Sequence, residues 1–420
     1  MNGKSIMQVD YIWLGLVVLV ECKFFYMIKL PGTLGAVTNS LLVVATSIFT
    51  YLIYVIKTKN ISNRKYIFSS YLLIVAILLL LEFVYTVIRY PEEKFSETLK
   101  EIIPFLTFYS YFFMTYMLRK KYMRTVKYLI SFASITAVMM IFQAFLYNYF
   151  GISFLKIYSF NYGESAIVFR TMGVRIIGTT FIEYMAYISI GMCFFYGTSK
   201  KDKRIYIFNT VVSMIFLLYV SQTRSAIAML LLCILFFMIL LYNRSRISKA
   251  IIALLVISLI SIFSSQIIDL GNSFGKEWSF VHRVDSIRYY MECFVKSPIW
   301  GNGLLRDNPD SEINYMIVHG NGRFGYTYSD VGIFGHIAHF GTIGIIMYYL
   351  YFKKCFKSIR VNKEKNPICI AIVIASLLSL INLSLMDAGR IFEMTVYMAV
   401  VDGSVYYMKN NYIKGKIVIR

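Results

Sequence analysis

Charge is scarce in this chain of 420 residues: Asp, Glu, Lys and Arg together make up 15%, where soluble globular domains carry roughly 25%. Set against 58% hydrophobic residues and a mean hydropathy of +0.63, that shortage excludes the two or three soluble domains that length alone would suggest. Short alternating strands are missing as well. Barrel strands alternate between lipid and lumen, whereas the apolar runs here are long, continuous and recur from end to end, so a membrane β-barrel is excluded. Cysteine is sparse, with residues at 22, 193, 233, 293, 355 and 369. Only Cys293 falls in an expected outer loop, so no exported disulfide framework can be assembled. No Cys/His metal spacing occurs, and no G-x-x-x-x-G-K-[ST] phosphate loop, which leaves a nucleotide-driven pump without support.

What the chain has in abundance is span-length apolar sequence. A bilayer core about 30 Å thick takes about 20 apolar residues per helix. The expected fold is therefore all-α and polytopic, a single integral membrane domain over 1–420 with about twelve transmembrane helices. The spans are drawn at 9–28, 34–56, 66–88, 102–118, 126–148, 177–197, 205–221, 225–242, 250–269, 331–352, 367–386 and 391–408. The first carries Glu21 and Lys23, and no small-residue cleavage site follows it, so it is not read as a signal peptide. S-Q-T-R-S alone separates the seventh and eighth, which predicts a tight turn.

Lys and Arg number 43 against 22 Asp and Glu, a net charge of +21. In a soluble protein this would suggest nucleic acid; in a membrane protein, cytoplasmic loops collect the basic residues. Alternating sides from an N-terminus inside, the larger share of Lys and Arg falls on the inner side, in short clusters at 57–65, 119–127, 200–204, 244–249 and 353–365 and in the tail after Lys409. Both termini are expected to be cytoplasmic, and nucleic acid is not an expected partner.

Two outer segments are long, about 149–176 and 270–330. Long loops of this kind are usually functional or disordered. The second is aromatic-rich, with Trp278, Phe280, Trp300, Phe324, Tyr326 and Tyr328, and is expected to fold against the membrane face. Within it, 278–296 has apolar residues near helical spacing and stops at Ser297-Pro298, which predicts an amphipathic helix.

Charged residues at the outer membrane boundary are the informative ones, because burying them is costly. Arg175, Arg224, Arg283 and Arg390 are placed there by the span assignment. Guanidinium groups grip phosphate bidentately and keep their charge, so several together would suit a lipid diphosphate; each also reads as an anchor snorkelling to the headgroups. All four histidines lie between 282 and 339. His336 and His339 stand i, i+3 like a metal pair, but no further ligand set accompanies them and no metal is expected. His319, in the loop V-H-G-N-G-R, reads either as a base near neutral pH or as a solvent-exposed histidine. G-N-G at 301–303 is a turn signal that superficially resembles a phosphate loop, while Gly332, Gly335, Gly341 and Gly344 permit close helix packing.

Four segments resemble the superfamily of O-antigen ligases and O-antigen and capsular polysaccharide (Wzy-like) polymerases. M-G-V-R-I-I-G-T-T-F-I-E-Y-M-A-Y-I-S-I (172–190) is similar to its Arg-x-x-Gly entry into a span, with Glu183 near a position where Pro is common. S-Q-T-R-S-A (221–226) is similar to its Ser/Thr-Arg turn. H-R-V-D-S-I-R-Y-Y-M-E-C-F-V-K-S-P-I-W-G-N-G-L (282–304) looks like its Arg-bearing outer helix ending in Pro-x-x-Gly-x-Gly, and Y-S-D-V-G-I-F-G-H-I-A-H-F-G-T-I-G (328–344) like the segment before the next span. The resemblance implies a glycosyltransferase acting on undecaprenyl-diphosphate-linked sugar chains in the bacterial cytoplasmic (inner) membrane, with no cofactor or metal. It also implies a flippase and a chain-length regulator as partners. Arg175, Arg224 and Arg283 would hold the diphosphate. Ligases of this family carry a catalytic His, a small polar residue, nine others and then Gly. Counted back from Gly341, those places hold Asp330 and Val331, so the base is expected to be Asp330 or a displaced His319; Glu183 and Arg390 are secondary candidates for the site.

The expected function is thus a polysaccharide polymerase joining lipid-linked repeat units. A ligase of the same chemistry is the nearer alternative. A lipid-linked oligosaccharide flippase is the rival from another class, but it should carry charge deep in several spans around a midplane cavity.

Overall fold

The computed structural model describes residues 3–22, 39–58, 66–152, 167–170, 173–176, 180–241, 278–305, 312–320, 326–362, 364–382, 384–387 and 389–413. Helices dominate these residues: α1 (Gly3–Glu21), α2 (Asn39–Thr58), α3 (Ser69–Arg89), α4 (Phe95–Ile102), α5 (Ser110–Phe150), α6 (Phe181–Cys193), α7 (Lys200–Ile215), α8 (Arg224–Leu241), α9 (Trp278–Lys296), α10 (Glu312–Val318), α11 (Ile333–Ser358), α12 (Pro367–Asn382) and α13 (Ile391–Ile413). Strands occur as two short antiparallel hairpins, β1 (Ile167–Arg170) with β2 (Gly173–Ile176) and β3 (Arg360–Val361) with β4 (Glu364–Lys365).

Among the described residues four helical stretches are long and apolar enough to cross a membrane: α3, Phe95–Phe150, Lys200–Ser221 and α11. Four shorter apolar helices accompany them, at Leu42–Thr58, Phe181–Cys193, Ser225–Ile239 and Pro367–Ile381. The chain is therefore a mostly helical membrane protein, and the expected spans matched at full length among the described residues are those on the four long stretches. The ninth expected span, 250–269, and much of the two long outer segments lie outside the described residues. The stretch Phe95–Phe150 accounts for two expected spans. Lys121 interrupts its helical backbone (φ −148°, ψ 70°), and the limbs before and after it fall on spans four and five. Leu118 and Tyr122, either side of the bend, press on Gly403 of α13, where an added Cβ would stand 2.7 Å from one and 3.0 Å from the other.

The sixth expected span differs most. Helix α6 has 13 residues, about 20 Å at 1.5 Å per residue, too short for a core of about 30 Å. The residues before it are taken by the β1–β2 hairpin, whose Val174 N–H donates to Asn148 Oδ1 at 2.9 Å. Every residue of α6 from Phe181 to Met192 is buried, between α5, α7, α12 and α8. It is a central post rather than a wall facing lipid, so it has no need of full span length.

Two expected basic clusters meet at one end of the bundle, where Lys127 bridges Asp202 at 2.7 Å. Arg119 Nε donates to the buried Asp402 of α13 at 2.7 Å, and the Tyr111 hydroxyl and the Ile67 N–H donate to the same carboxylate. Lys57 and Asp10 pair there too. Because neighbouring helices run antiparallel from this end, the starts of α6, α8, α11 and α13 and the end of α3 lie at the opposite one. All six cysteines are free thiols, and Cys293 is buried.

Candidate functional site

Helix α9 begins and ends where the spacing predicts, Trp278 to Lys296. Its buried stripe, Ser286, Tyr290 and Cys293, repeats at i, i+4 and i+7, the pattern of one helix face. Tyr290 and Cys293 pack against Tyr326, Val331 and Ala338, which seats α9 on the start of α11. Proline at 298 cannot continue the helix, and the chain turns into the 297–305 loop.

That loop is interlocked with α11. Gly341 sits at φ 57° inside α11 and breaks it, so the Thr342 N–H, which a regular helix would pair with the Ala338 carbonyl, donates instead to Pro298 O at 2.8 Å. The carbonyls set free are taken by the loop: Asn302 N–H donates to Ala338 O at 2.7 Å and Gly303 N–H to His339 O at 3.0 Å. The G-N-G sequence is therefore a helix lock. Its amide groups at 302 and 303 are engaged with backbone and unavailable to a phosphate.

Helix α3 closes the lock from the other side. Arg89 Nη1 donates to Gly301 O (2.7 Å), Ser297 Oγ (3.1 Å) and the Tyr85 hydroxyl (2.6 Å). Tyr85 stacks on Trp300 with ring centroids 4.8 Å apart, and Leu304 N–H donates to Thr86 Oγ1 at 2.8 Å. On the α11 side, Asn302 Nδ2 donates to the Tyr328 hydroxyl at 3.0 Å, and the Tyr328 ring lies flat on His339, 4.7 Å away. Desolvation holds the Tyr328 hydroxyl well above the ordinary tyrosine value, so it stays neutral.

The expected site residues fall into three groups at this end of the bundle. Arg283, Asp330 and His319 share the assembly around α9. Arg283 is exposed on α9; Asp330 is exposed in the 3₁₀ turn Tyr328–Val331 that leads into α11. His319 corrects an expectation: it is no exposed loop residue but is 7% accessible at the end of α10, its ring 4.6 Å from Tyr315. Helix α10 is held to α9 by Tyr289 and Tyr290, whose hydroxyls donate to Ile317 O and Val318 O at 2.6 and 2.9 Å.

Arg175 and Arg224 form the second group. Arg175 is half-buried on β2, and Arg224 opens α8 after the π-helical turn Phe216–Ser221 and the left-handed Gln222 (φ 50°), the tight turn that S-Q-T-R-S predicts. Both β2 and α8 pack on that π turn. The third group joins α6 to α13. Arg390 bridges Asp387 at 2.9 Å, the buried Glu183 accepts from the Tyr187 hydroxyl at 3.0 Å, and the buried Glu393 accepts from Thr180. Glu183, Asp387 and Glu393 all lie within electrostatic reach of the Arg390 guanidinium. His336 and His339 are both buried, packed on aromatic rings, and no cluster able to hold a metal ion occurs among the described residues.

Arg89, Thr86 and Glu393 were not singled out by the sequence. The Asp387-x-x-Arg390-x-x-Glu393 spacing was a usable signal, since i, i+3 charges share a helix face. Nothing in the sequence of α3 pointed to the 297–305 loop more than 200 positions away.

The three groups of expected site residues lie at the end of the bundle opposite the basic clusters. Residues 209–349 match the family model of the O-antigen ligase. That stretch, about a third of the chain, is similar to the O-antigen ligase family and lies within a mostly helical membrane protein. It includes Arg224, Arg283, His319, Asp330 and the Gly301–Gly341 lock, and leaves out Arg175, Glu183 and Arg390. No curated protein matches the chain.

Proposed function

We propose that the protein is a polysaccharide polymerase that joins oligosaccharide repeat units carried on undecaprenyl diphosphate, at the outer face of the bacterial cytoplasmic membrane. The observation that carries this reading is the exposed Asp330 on a turn that packs against α9, the helix that bears Arg283, on a scaffold fixed by the lock between the 297–305 loop and α11. The acceptor sugar hydroxyl attacks the anomeric carbon of the donor and gives its proton to Asp330. The bond from that carbon to the diphosphate oxygen breaks, and undecaprenyl diphosphate leaves. Arg175, Arg224 and Arg283 stabilise the charge growing on the leaving group, the preorganised electrostatics that usually dominates catalysis. Metal and nucleotide sugar play no part in this scheme. A flippase would deliver the donor, and a chain-length regulator would set the product size.

His319 is the less accessible candidate for the base, because its ring is packed within the α9–α10 assembly while Asp330 faces solvent. Transfer of finished glycan to a different acceptor is the second reading, favoured by the ligase description of the matched family. Incubating the full-length protein in liposomes with the lipid-linked oligosaccharide alone separates the two. A polymerase yields a ladder of products; a ligase yields none until another acceptor is added.

A further inference from the structure

At the end of the bundle far from this site, the bend at Lys121 opens a cavity of about 380 Å³ between α5 and the last turns of α13. Arg119, Lys120, Lys121 and Arg124 line one wall; Tyr406, Tyr407, Asn410 and Asn411 line the other. The four cations differ in what they already hold. Arg119 is bound to Asp402 and lies over the Tyr66 and Tyr406 rings, so it is structural. Lys120 meets Tyr116, with its Nζ 3.3 Å from the hydroxyl and over the ring. Arg124 lies over the Tyr11 ring, 4.9 Å from its centre. Among the described residues no carboxylate pairs with Lys120, Lys121 or Arg124.

Three cations held side by side repel one another; Lys120 and Arg124 stand i, i+4 on neighbouring turns, and Lys121 is the residue at which the helical backbone breaks. The bend turns them to one concavity rimmed by tyrosine hydroxyls and asparagine amides. Tyr is enriched where a membrane meets water, and basic pockets between helix ends on the cytoplasmic side are suited to phosphate-bearing headgroups. We propose that this cavity binds a phosphate group from the cytoplasmic side, carried by an anionic phospholipid, with Lys120, Lys121 and Arg124 neutralising it and Asn410 and Asn411 available as neutral donors. The bound lipid would staple the α5 bend to α13 and so tie the two limbs of α5 to the helix that bears Asp402 and Glu393. The inference is independent of the polymerase reading, since none of these residues belongs to the other end of the bundle.

The test uses the purified full-length chain in neutral detergent, with native mass spectrometry and thermal stability as readouts. Phosphatidylglycerol, phosphatidylcholine and inorganic phosphate are added separately to wild type, to Lys121→Gln/Arg124→Gln, and to a control, Lys200→Gln/Lys201→Gln, that removes two cations at the same end but outside the cavity. Each cation near an anionic headgroup contributes roughly fivefold to affinity. Retention of phosphatidylglycerol should therefore fall on the order of 25-fold in the cavity variant and stay near wild type in the control, with phosphatidylcholine weak throughout. A Lys121→Arg variant should retain the lipid, separating charge from folding. Stabilisation by inorganic phosphate as strong as by phosphatidylglycerol, and lost in the cavity variant, would replace the lipid by a soluble phosphate and overturn the lipid assignment. Equal loss in the cavity and control variants, or no preference for the anionic lipid, would overturn the site.

Discussion

Gly301 and Gly341, forty residues apart in sequence, meet so closely that a Cβ added to either would stand 2.6 Å from the backbone nitrogen of the other. Both have positive φ, 63° and 57°. The contact is the centre of the lock that joins the 297–305 loop to α11, and it fixes the relation between α9, with Arg283, and the turn that carries Asp330.

Alanine at either position should be severely destabilising. Positive φ costs an L residue about 1–2 kcal/mol, and the collision with backbone adds about 1–3 kcal/mol of overpacking. Gly151 supplies the comparison: its φ is 67°, and an added Cβ meets nothing within 4 Å. Thermal unfolding in detergent should show Gly301→Ala and Gly341→Ala well below wild type, with Gly151→Ala losing only the backbone part. Equal losses at 151 and 301 would mean that the loop and α11 are not interlocked.

Arg89 should act on the reaction through position alone. Its one nitrogen, Nη1, holds Gly301, Ser297 and Tyr85 at once, and hydrogen bonds from a charged group are worth about 1.5–3 kcal/mol. Arg89→Lys should lower polymer yield about tenfold or more at normal protein level. Wild-type yield from Arg89→Ala would remove α3 from the account.

The site was partly legible in sequence, and the boundary follows range. The bounds of α9 could be read because its apolar spacing and the Ser297-Pro298 stop are local, and the turn at 221–225 because five polar residues between apolar runs leave few alternatives. The lock could not be read: the positive φ of Gly341 is imposed by a loop forty residues upstream, so its glycine read as helix packing. The shortness of α6 was hidden for a similar reason, since its hydropathy continues through 177–197 while tertiary burial makes it a central post. Glu393 meets Thr180, Glu183 and Arg390 through packing of α6 on α13, which no local pattern announces. His319 stood between a base and a solvent-exposed loop histidine, and its burial at the end of α10 depends on packing that the local sequence does not show.

The base can be identified by comparing two variants. Asp330→Asn keeps the shape and removes the basicity, so single repeat units should accumulate on lipid, with the initial rate down by a factor of roughly 10² to 10⁴. His319→Ala should be mild by comparison. Exchange of the two phenotypes would make His319 the base, and near-normal rates in both would turn attention to Glu183.

The Lys127–Asp202 bridge gives a pH signature. Hydrogen bonds from Lys127 and then Ser199 hold the Asp202 carboxyl below its ordinary value, so the folded state favours the ionised form. A depressed folded pKa contributes stability above the unfolded pKa and loses it as pH falls through the folded one. The stability difference between wild type and Asp202→Asn should therefore be largest at neutral pH and shrink in acid. A difference that grows on acidification would contradict the bridge.

Orientation is open to direct measurement. A reporter fused after Lys201 should read cytoplasmic, and one inserted near Asn308 should read outside. A cytoplasmic reading at Asn308 would put the arginines and Asp330 on the wrong face for a lipid-linked donor delivered outside.

The measurement closest to the central claim is the stoichiometry of the reaction in a purified system. Full-length protein in liposomes, given undecaprenyl-diphosphate-linked repeat units, a metal chelator and no nucleotide sugar, should release one undecaprenyl diphosphate for each glycosidic bond formed. Arg224→Lys and Arg283→Lys should slow both together, because the ammonium keeps charge but loses the planar fork. Bond formation without release of the lipid diphosphate, or full activity in both arginine variants, would contradict the account.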